Sequence, residues 1–466
     1  MSNNKNVVRP FGMRDKLGYL FGDFGNDFTF MLSSTFLMKF STDAYGIDPG
    51  VVGIIMMVAR IVDAFTDVTM GRICDRSKMT PVGKFKPWIR RMCVPVALAS
   101  FLIYQNAIAG WPMGAKIAYL FVTYILWGSI FYTSINIPYG AMASAISPEP
   151  GDRQSLSSFR TMGGMLGSAI VMMGVPLMVY DKIDGKEVLN GGKFTAVAGI
   201  CSILAIICYL LCYVLITERV KPEATEQKQD SVLVMLKKSM KNRSLISIIA
   251  ASITLLVAQL TLQGMANYVF PNYYGNATAQ SLSTVMLSVG LIIAAIIAKP
   301  LANRFGKAEI GAVASIIAAI MNILLFIIRP ANVWVFTGFQ AVCWIGIGVF
   351  SMVSWALITD VIDATELKNG IREDGSVYAL YSWARKLGQA ASAGLTGALL
   401  SMIGYTDANA FEPHITNGIF NITCLVPGAG FLLLGLILWF WYPLHKKQVE
   451  ANVAALKAKH GGSMNG

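Results

Sequence analysis

Asp63 and Asp67 stand one helical turn apart inside VVGIIMMVARIVDAFTDVTMG, a run otherwise apolar enough to cross a membrane. Spacing i, i+4 puts both carboxylates on one face of a helix. A charged carboxylate near a bilayer centre costs roughly 2.5–3.5 kcal/mol on insertion scales. Two of them, with Arg60 on the same face, are not there for stability. Like charges so placed invite a counter-charge, a bound cation or a shared proton. Thr66 and, from another run, Thr133 complete an all-oxygen set with them. Hard cations take oxygen ligands, so Na⁺ at Asp63 and Asp67 is one reading, and H⁺ carried on a carboxylate is the other. An Arg60–Asp63 salt bridge locking helices together is the structural alternative.

Other apolar runs carry polar groups too. Asp23 and Asp27, with Asn26 between them, repeat the i, i+4 pattern. Thr133, Asn136 and Tyr139 surround Pro138, and Arg160 follows in the next run. Asp360, Asp363 and Glu366 close a later run, and Arg385, Lys386 and Gln389 sit inside the one after. Ionisable groups within membrane segments are functional by default. The acids at 360–366 fall at a membrane edge, where a gate or a loop ion pair accounts for them. Lys386 either meets a ligand or snorkels to the surface. No histidine is placed to relay protons, since His414, His445 and His460 all lie outside the runs. Trp127, Tyr132, Tyr139, Trp355, Tyr378, Tyr381 and Trp383 suit stacking on a sugar ring or ordinary packing.

The elements that must position these groups are membrane helices. The chain of 466 residues is 55% hydrophobic and only 14% charged, against roughly 25% charged in soluble domains. About twelve runs are near the ~20 residues a bilayer needs. Their cores are 17–40, 47–71, 89–109, 115–143, 157–180, 194–217, 243–270, 279–302, 309–329, 332–359, 376–403 and 416–442. The fold class is therefore all-α and polytopic. A polar, charged stretch between the sixth and seventh spans, expected to be part amphipathic helix, divides the chain. The expected organisation is an N-terminal six-helix bundle at 1–217, a linker at 218–242, a C-terminal six-helix bundle at 243–445 and a tail at 446–466.

The formal charge of +12 reflects topology rather than nucleic acid. Basic residues crowd the N-terminal segment, the second–third connection and the segment before the seventh span, while TDAYGIDPG, NYYGNATAQSLS and GYTDANAFEPHITNG have none. By the positive-inside rule both termini are cytoplasmic. YDKIDGKEVLNGGK dissents, with lysines mixed among acids on the expected outside. The N-terminal segment is polar and the first run too long for a signal-peptide core, so no cleavable leader is expected. The seven cysteines lie in or beside spans with no CxxC spacing, as small apolar packing residues would.

At KLGYLFGDFGNDF, ARIVDAFTDVTMG, GKFKPW, VTYILWG, NIPYG and ITDVIDATE the chain resembles the glycoside–pentoside–hexuronide:cation symporters of the major facilitator superfamily, typified by the melibiose permease. Their order and spacing match over nearly the whole chain. The resemblance implies two pseudo-symmetric six-helix bundles in a bacterial cytoplasmic membrane, alternating access, and symport of a sugar or glycoside with Na⁺ or H⁺, without another cofactor. It implies cation ligands at Asp63, Asp67 and Thr133, with Thr66 where the permease has asparagine. It also implies sugar contacts from Asp27, Asn26, Asn136, Tyr139, Arg160, Lys386 and Trp355. Gly71, Asp75 and Arg76 look like the superfamily's G-x-x-x-D-R turn. With Arg60, Lys84, Asp360 and Asp363 the last two form the expected gating and structural set.

The departures retune the sugar end. Asn136 stands where the permease has a second sugar-binding aspartate, and Gly140 where it has a stacking tryptophan. Asparagine offers a donor as well as an acceptor, which better tolerates an anionic or less hydroxylated ligand. N-I-P-Y-G is similar to glucuronide and xyloside members, so a glucuronide, xyloside or related oligosaccharide is expected rather than melibiose. The partners expected are thus a small sugar, a cation and the bilayer, with no nucleic acid. No membrane-face catalytic constellation or metal-ligand cluster supports an enzyme. A sugar sensor without transport and a lysolipid transporter of the same fold are the alternatives.

Overall fold

In hydrocarbon every backbone polar group must be satisfied internally, so long apolar segments fold as helices. The computed structural model describes residues 9–220, 242–369 and 374–462. It consists of two compact units, Met1–Gln227 and Lys228–Gly466.

In the first unit, α1 (Met13–Met31) runs through a π-helical turn, Leu32–Phe36, into α2 (Leu37–Asp43). Next come α3 (Pro49–Arg76) and α4 (Lys86–Ile103). The fourth span is α5 (Met113–Ile125), a π-helical segment Leu126–Tyr132, and α6 (Thr133–Ile146). The fifth is α7 (Pro150–Val179) and the sixth α8 (Gly191–Leu215). Helix starts follow local chemistry. Pro49 opens α3 with its φ preset, while the Asp48 carboxylate accepts from the Gly50 and Val51 N–H groups. Asn190 caps α8 by accepting from the Lys193 N–H.

The second unit repeats the plan. It comprises α9 (Arg243–Tyr268) with a π-helical turn at Val269–Tyr273, α10 (Ala277–Phe305), α11 (Lys307–Ile328), α12 (Val333–Asn369), α13 (Asp374–Met402) and α14 (Pro413–Leu436). A π-helical turn, Ile437–Trp441, ends α14, and α15 (Lys446–Gly462) follows. In the first unit the first span packs on the fifth and sixth, the second on the fourth, and the third on the fourth and sixth. In the second unit α9 packs on α13 and α14, α10 on α12, and α11 on α12 and α14. That is the same arrangement, span for span.

Among the described residues, eight helices are long and apolar enough to cross a membrane by hydropathy alone. The remaining spans are α1–α2, α3, α4 and α13. These hold Asp23 and Asp27, Arg60, Asp63 and Asp67, Arg90 and Arg91, and Arg385 and Lys386. These charged side chains lower the hydropathy of the four spans, and they are helical nonetheless.

Three local expectations change. The connection YDKIDGKEVLNGGK is a hairpin, β1 (Tyr180–Ile183) with β2 (Lys186–Leu189), not a plain loop. Asp184 and Gly185 both take positive φ, 49° and 77°, as a two-residue hairpin turn requires. Lys182 faces Glu187 across it, and Lys193 pairs with Asp181. The Lys193 hydrogen bond, then that of Asn190, holds the Asp181 carboxyl below its usual range. Lys182 and Lys193 are thus locally balanced by acids. The tenth span extends as helix to Asn369, so Asp360, Asp363 and Glu366 are helical. The tail is helical over Lys446–Gly462. Most of the linker, 221–241, lies outside the described residues. All seven cysteines are buried and free.

Candidate functional site

The polar groups of the first unit gather into two neighbouring clusters. The first joins α3 to the fourth span. Ser129, in the π-helical segment, donates its hydroxyl to Asp63 Oδ1 at 2.5 Å. Thr133 donates to Asp67 Oδ1 at 2.9 Å and lies 3.2 Å from the Gly128 carbonyl. Arg60 Nη1 reaches Asp63 Oδ2 at 3.3 Å, its guanidinium 5.2 Å from the Phe30 ring centroid. The salt bridge considered as an alternative is thus present, yet it coexists with the oxygen cluster. Thr66 donates within its own helix to the Asp63 carbonyl at 3.2 Å. A π-helical segment often marks a functional site, and here its hydroxyl faces the buried carboxylate.

The second cluster joins α1 to α6, α7 and α8. Arg160 Nε donates to Asp23 Oδ1 at 3.3 Å, and Ser168 donates to Asp27 Oδ2 at 2.5 Å. Asn26 is buried. Its Nδ2 donates to Asp23 Oδ1 and Asn136 Oδ1, both at 3.4 Å, and its Oδ1 accepts from the Tyr209 hydroxyl at 2.8 Å. The Arg160 guanidinium lies 5.1 Å from the Tyr139 ring centroid. Tyr139 in turn stacks on Tyr19 at 4.7 Å and donates to the Tyr19 carbonyl. Tyr139 therefore backs Arg160 from a buried position. A Cβ on Gly140 would sit 3.6 Å from Arg160 Nη1, so the room left by the missing tryptophan lies beside the guanidinium.

Glycines bring α7 against α1. A Cβ at Gly163 would lie 2.2 Å from the Leu20 carbonyl oxygen, and one at Gly167 would lie 2.8 Å from Asp27 Cβ. Small residues allow such close approach in lipid. On α7 the close-packed glycines fall between Arg160 and Ser168.

Other expected residues fall elsewhere. Trp127 is wholly buried, stacked on Tyr124 at 5.7 Å, as a packing residue. In the second unit Lys386 is half-buried on α13. Trp355 is 47% exposed on α12, edge-on to Tyr381 at 5.2 Å, with the Arg385 guanidinium 5.7 Å from its ring. Asp360 pairs with Lys307 at 2.6 Å. Asp363 is half-buried and Glu366 buried on the same helix. The Tyr378 side chain lies outside the described residues.

At the other end of the first unit the GKFKPW turn has a partner. The Lys84, Phe85 and Lys86 N–H groups donate to the Glu218 carboxylate at 2.6, 2.9 and 2.7 Å. Lys84 Nζ donates to the Asp75 carbonyl at 2.9 Å, while the Asp75 and Arg76 side chains are exposed. Next to Glu218, Arg219 pairs with the fully buried Asp15 at 2.8 Å, and Arg9 does so at 2.7 Å.

The sequence pattern alone does not point to Ser168, Tyr209 or Glu218. Ser129 carries one weak signal, lying four residues before Thr133. Asp23 carried a stronger one, its i, i+4 spacing to Asp27.

A family model described as MFS/sugar transport protein matches residues 18–446. The chain belongs to that family. It is a multi-pass membrane transporter of the major facilitator superfamily, within its glycoside–pentoside–hexuronide branch, and not an enzyme. An uncharacterised symporter of Bacillus subtilis is 30% identical, over 97% of this chain and 96% of that protein. A glucuronide carrier protein homolog of Escherichia coli is 27% identical, over 95% of each. The crystal structure of a nucleoside transporter shares this major facilitator fold, with a TM-score of 0.65 at 16% identity over 93% of this chain and 100% of the other.

Proposed function

We propose that this sugar transporter is a cation-coupled symporter of glucuronides, xylosides or related glycosides, working by alternating access. The observation that supports coupling most is the pair of hydroxyl contacts from one span to both carboxylates of another, Ser129 to Asp63 and Thr133 to Asp67. In this reading Na⁺ or H⁺ engages Asp63 and Asp67 with Thr133 oxygen, and Thr66 contributes from the same face. The sugar engages Asp27, Asn26, Asn136 and Arg160, with Tyr139 behind the arginine and Lys386 and Trp355 acting from the second unit. Arg160 gives the site a cation suited to an anionic sugar. Asn136 in place of a carboxylate removes the repulsion such a ligand would meet.

Cation binding neutralises part of the Asp63 and Asp67 charge and orders the cluster. The sugar then binds better, and by reciprocity so does the cation. Asp75, Arg76, Lys84, Asp360 and Asp363 act at the gates, and both termini lie in the cytoplasm of a bacterial inner membrane. The test is uptake by membrane vesicles of radiolabelled glucuronides, xylosides and galactosides, with and without an imposed Na⁺ or H⁺ gradient. Accumulation of a glucuronide or xyloside driven by either gradient is the expected result. Gradient-independent equilibration of every sugar in the panel overturns the coupling. Counterflow in proteoliposomes separates transport from sensing.

A further inference from the structure

Arg160 does not carry its charge alone. Its Nε donates to Asp23 Oδ1 at 3.3 Å, and the two side chains are 35% and 20% exposed. Neither is sealed off, so a ligand can reach the pair. Asn26 Nδ2 also donates to Asp23 Oδ1, at 3.4 Å. Arg160 and Gly164 are one turn apart on α7, as Asp23 and Asp27 are on α1. Gly164 is what lets the acid in. A Cβ there would lie 3.0 Å from Asp23 Oδ2 and 3.5 Å from Asp27 Oδ2. The carboxylate of Asp23 therefore occupies room that any larger residue on α7 would restrict.

The guanidinium has further donors. Arginine carries five N–H groups in a fixed fork, and the Asp23 contact takes the one at Nε. Nη1 borders open space at Gly140. A Cβ on Gly140 would sit 3.6 Å from Nη1, and apart from the two chain neighbours no other described side chain comes within 4 Å of that point. A ligand carboxylate reaching Nη1 there meets a guanidinium that already holds one carboxylate. Two anions on one cation repel each other, which weakens the second. The two sugar classes proposed above differ in this one respect. A glucuronide carries a carboxylate on the ring carbon where a xyloside carries hydrogen.

We propose that Asp23 sets the balance between anionic and neutral sugars by holding part of the Arg160 charge. This rests on the reading of Arg160 as a sugar contact. Asp23 acts through Arg160 and is a specificity-determining residue rather than a sugar ligand. A xyloside enters without leaving the guanidinium unpaired, because Arg160 keeps its carboxylate. A glucuronide brings a second carboxylate to the same fork, and it is held less tightly than Arg160 alone would hold it.

The test uses the detergent-solubilised full chain with 4-nitrophenyl β-D-glucuronide and 4-nitrophenyl β-D-xyloside. Titration calorimetry at constant pH and Na⁺ gives the ratio of the two affinities. Asp23→Asn keeps the size of the side chain and an oxygen for Arg160 Nε, and removes the charge. It should raise the glucuronide-to-xyloside ratio about tenfold, on the order of one like-charge contact. Asp23→Ser serves if the asparagine variant has a lowered melting temperature. A purely structural role would lower both affinities together and leave the ratio where it was. An unchanged ratio in a folded neutral variant overturns the proposal. So does a shift toward the xyloside, or loss of both sugars from such a variant. Binding of neither compound by the wild type overturns instead the sugar reading on which the proposal rests, and the proposal with it.

Discussion

Ser129 and Asp63, 66 residues apart in sequence, share a hydrogen bond of 2.5 Å in the interior of the first unit. Both residues are buried. The hydroxyl comes from a π-helical segment, whose wider turn re-aims side chains relative to a regular helix. Hydrogen bonds to charged groups are worth about 1.5–3 kcal/mol. Removing the Ser129 hydroxyl should therefore reach the proposed cation cluster directly. Ser129→Ala is expected to weaken cation binding about tenfold, measured by titration calorimetry. Sugar affinity at saturating cation should stay within twofold; an unchanged cation affinity would remove Ser129 from the cluster.

Asp63→Asn and Asp67→Asn should each abolish cation-stimulated uptake while the protein still reaches the membrane. Asp63→Asn also leaves the largely enclosed Arg60 without this carboxylate, so a lower melting temperature is expected there. Vesicle uptake with matched immunoblots reads the first effect and detergent melts the second. Retained gradient-driven accumulation in both variants argues against a carboxylate cation site.

At the sugar end, Asp27→Asn and Arg160→Lys are expected to lose sugar binding by tenfold or more, on the order of one charge-assisted contact. Cation binding should persist. Lysine cannot reproduce the planar guanidinium beside the Tyr139 ring with its Nε bond to Asp23. Sugar calorimetry decides, and wild-type affinity in Arg160→Lys would place the ligand elsewhere.

Gly163→Val puts a Cβ 2.2 Å from a backbone oxygen that cannot swing away. Overpacking of this kind costs about 1–3 kcal/mol. Thermal unfolding in detergent should shift down by several degrees, with residual protein losing sugar affinity because α7 carries Arg160. An unshifted melt would mean that α1 and α7 are more loosely packed than their spacing indicates.

Glu218→Ala removes the acceptor of three consecutive N–H groups at the start of α4. The turn preceding that helix should loosen, exposing Cys74, which is buried one turn from the end of α3. Faster maleimide labelling of Cys74 is the expected readout, with Glu218→Gln intermediate because one amide oxygen remains an acceptor. Identical labelling rates in all three proteins would show that the clamp does not hold this region.

What could be read in the sequence was whatever costs energy to place in lipid. Asp23, Asp27, Asp63 and Asp67 stand out because an apolar helix has no other reason to hold them. The spans follow from length and hydropathy. Ser129 and Ser168 stand out hardly at all, for the opposite reason, since a hydroxyl in a helix can bond back to its own carbonyls at little cost. Thr66 does so, and nothing in the sequence separates it from Ser129. Glu218 sits more than 130 residues from the turn it clamps, in a segment whose charge reads as linker. The hairpin was missed because two strands of four residues carry too little period to register, although Asp184–Gly185 was a fair turn signal.

Thr133 and Asn136 are separated by less than one turn of α6, a rise of about 4.5 Å. One touches Asp67 and the other touches Asn26. The two clusters thus share a single rigid shaft, with the π-helical segment immediately before it and Pro138 immediately after. A twist of that shaft cannot loosen its grip at one end without changing it at the other. Ion and sugar would then be geared by one short piece of helix rather than by a message passed across the bundle.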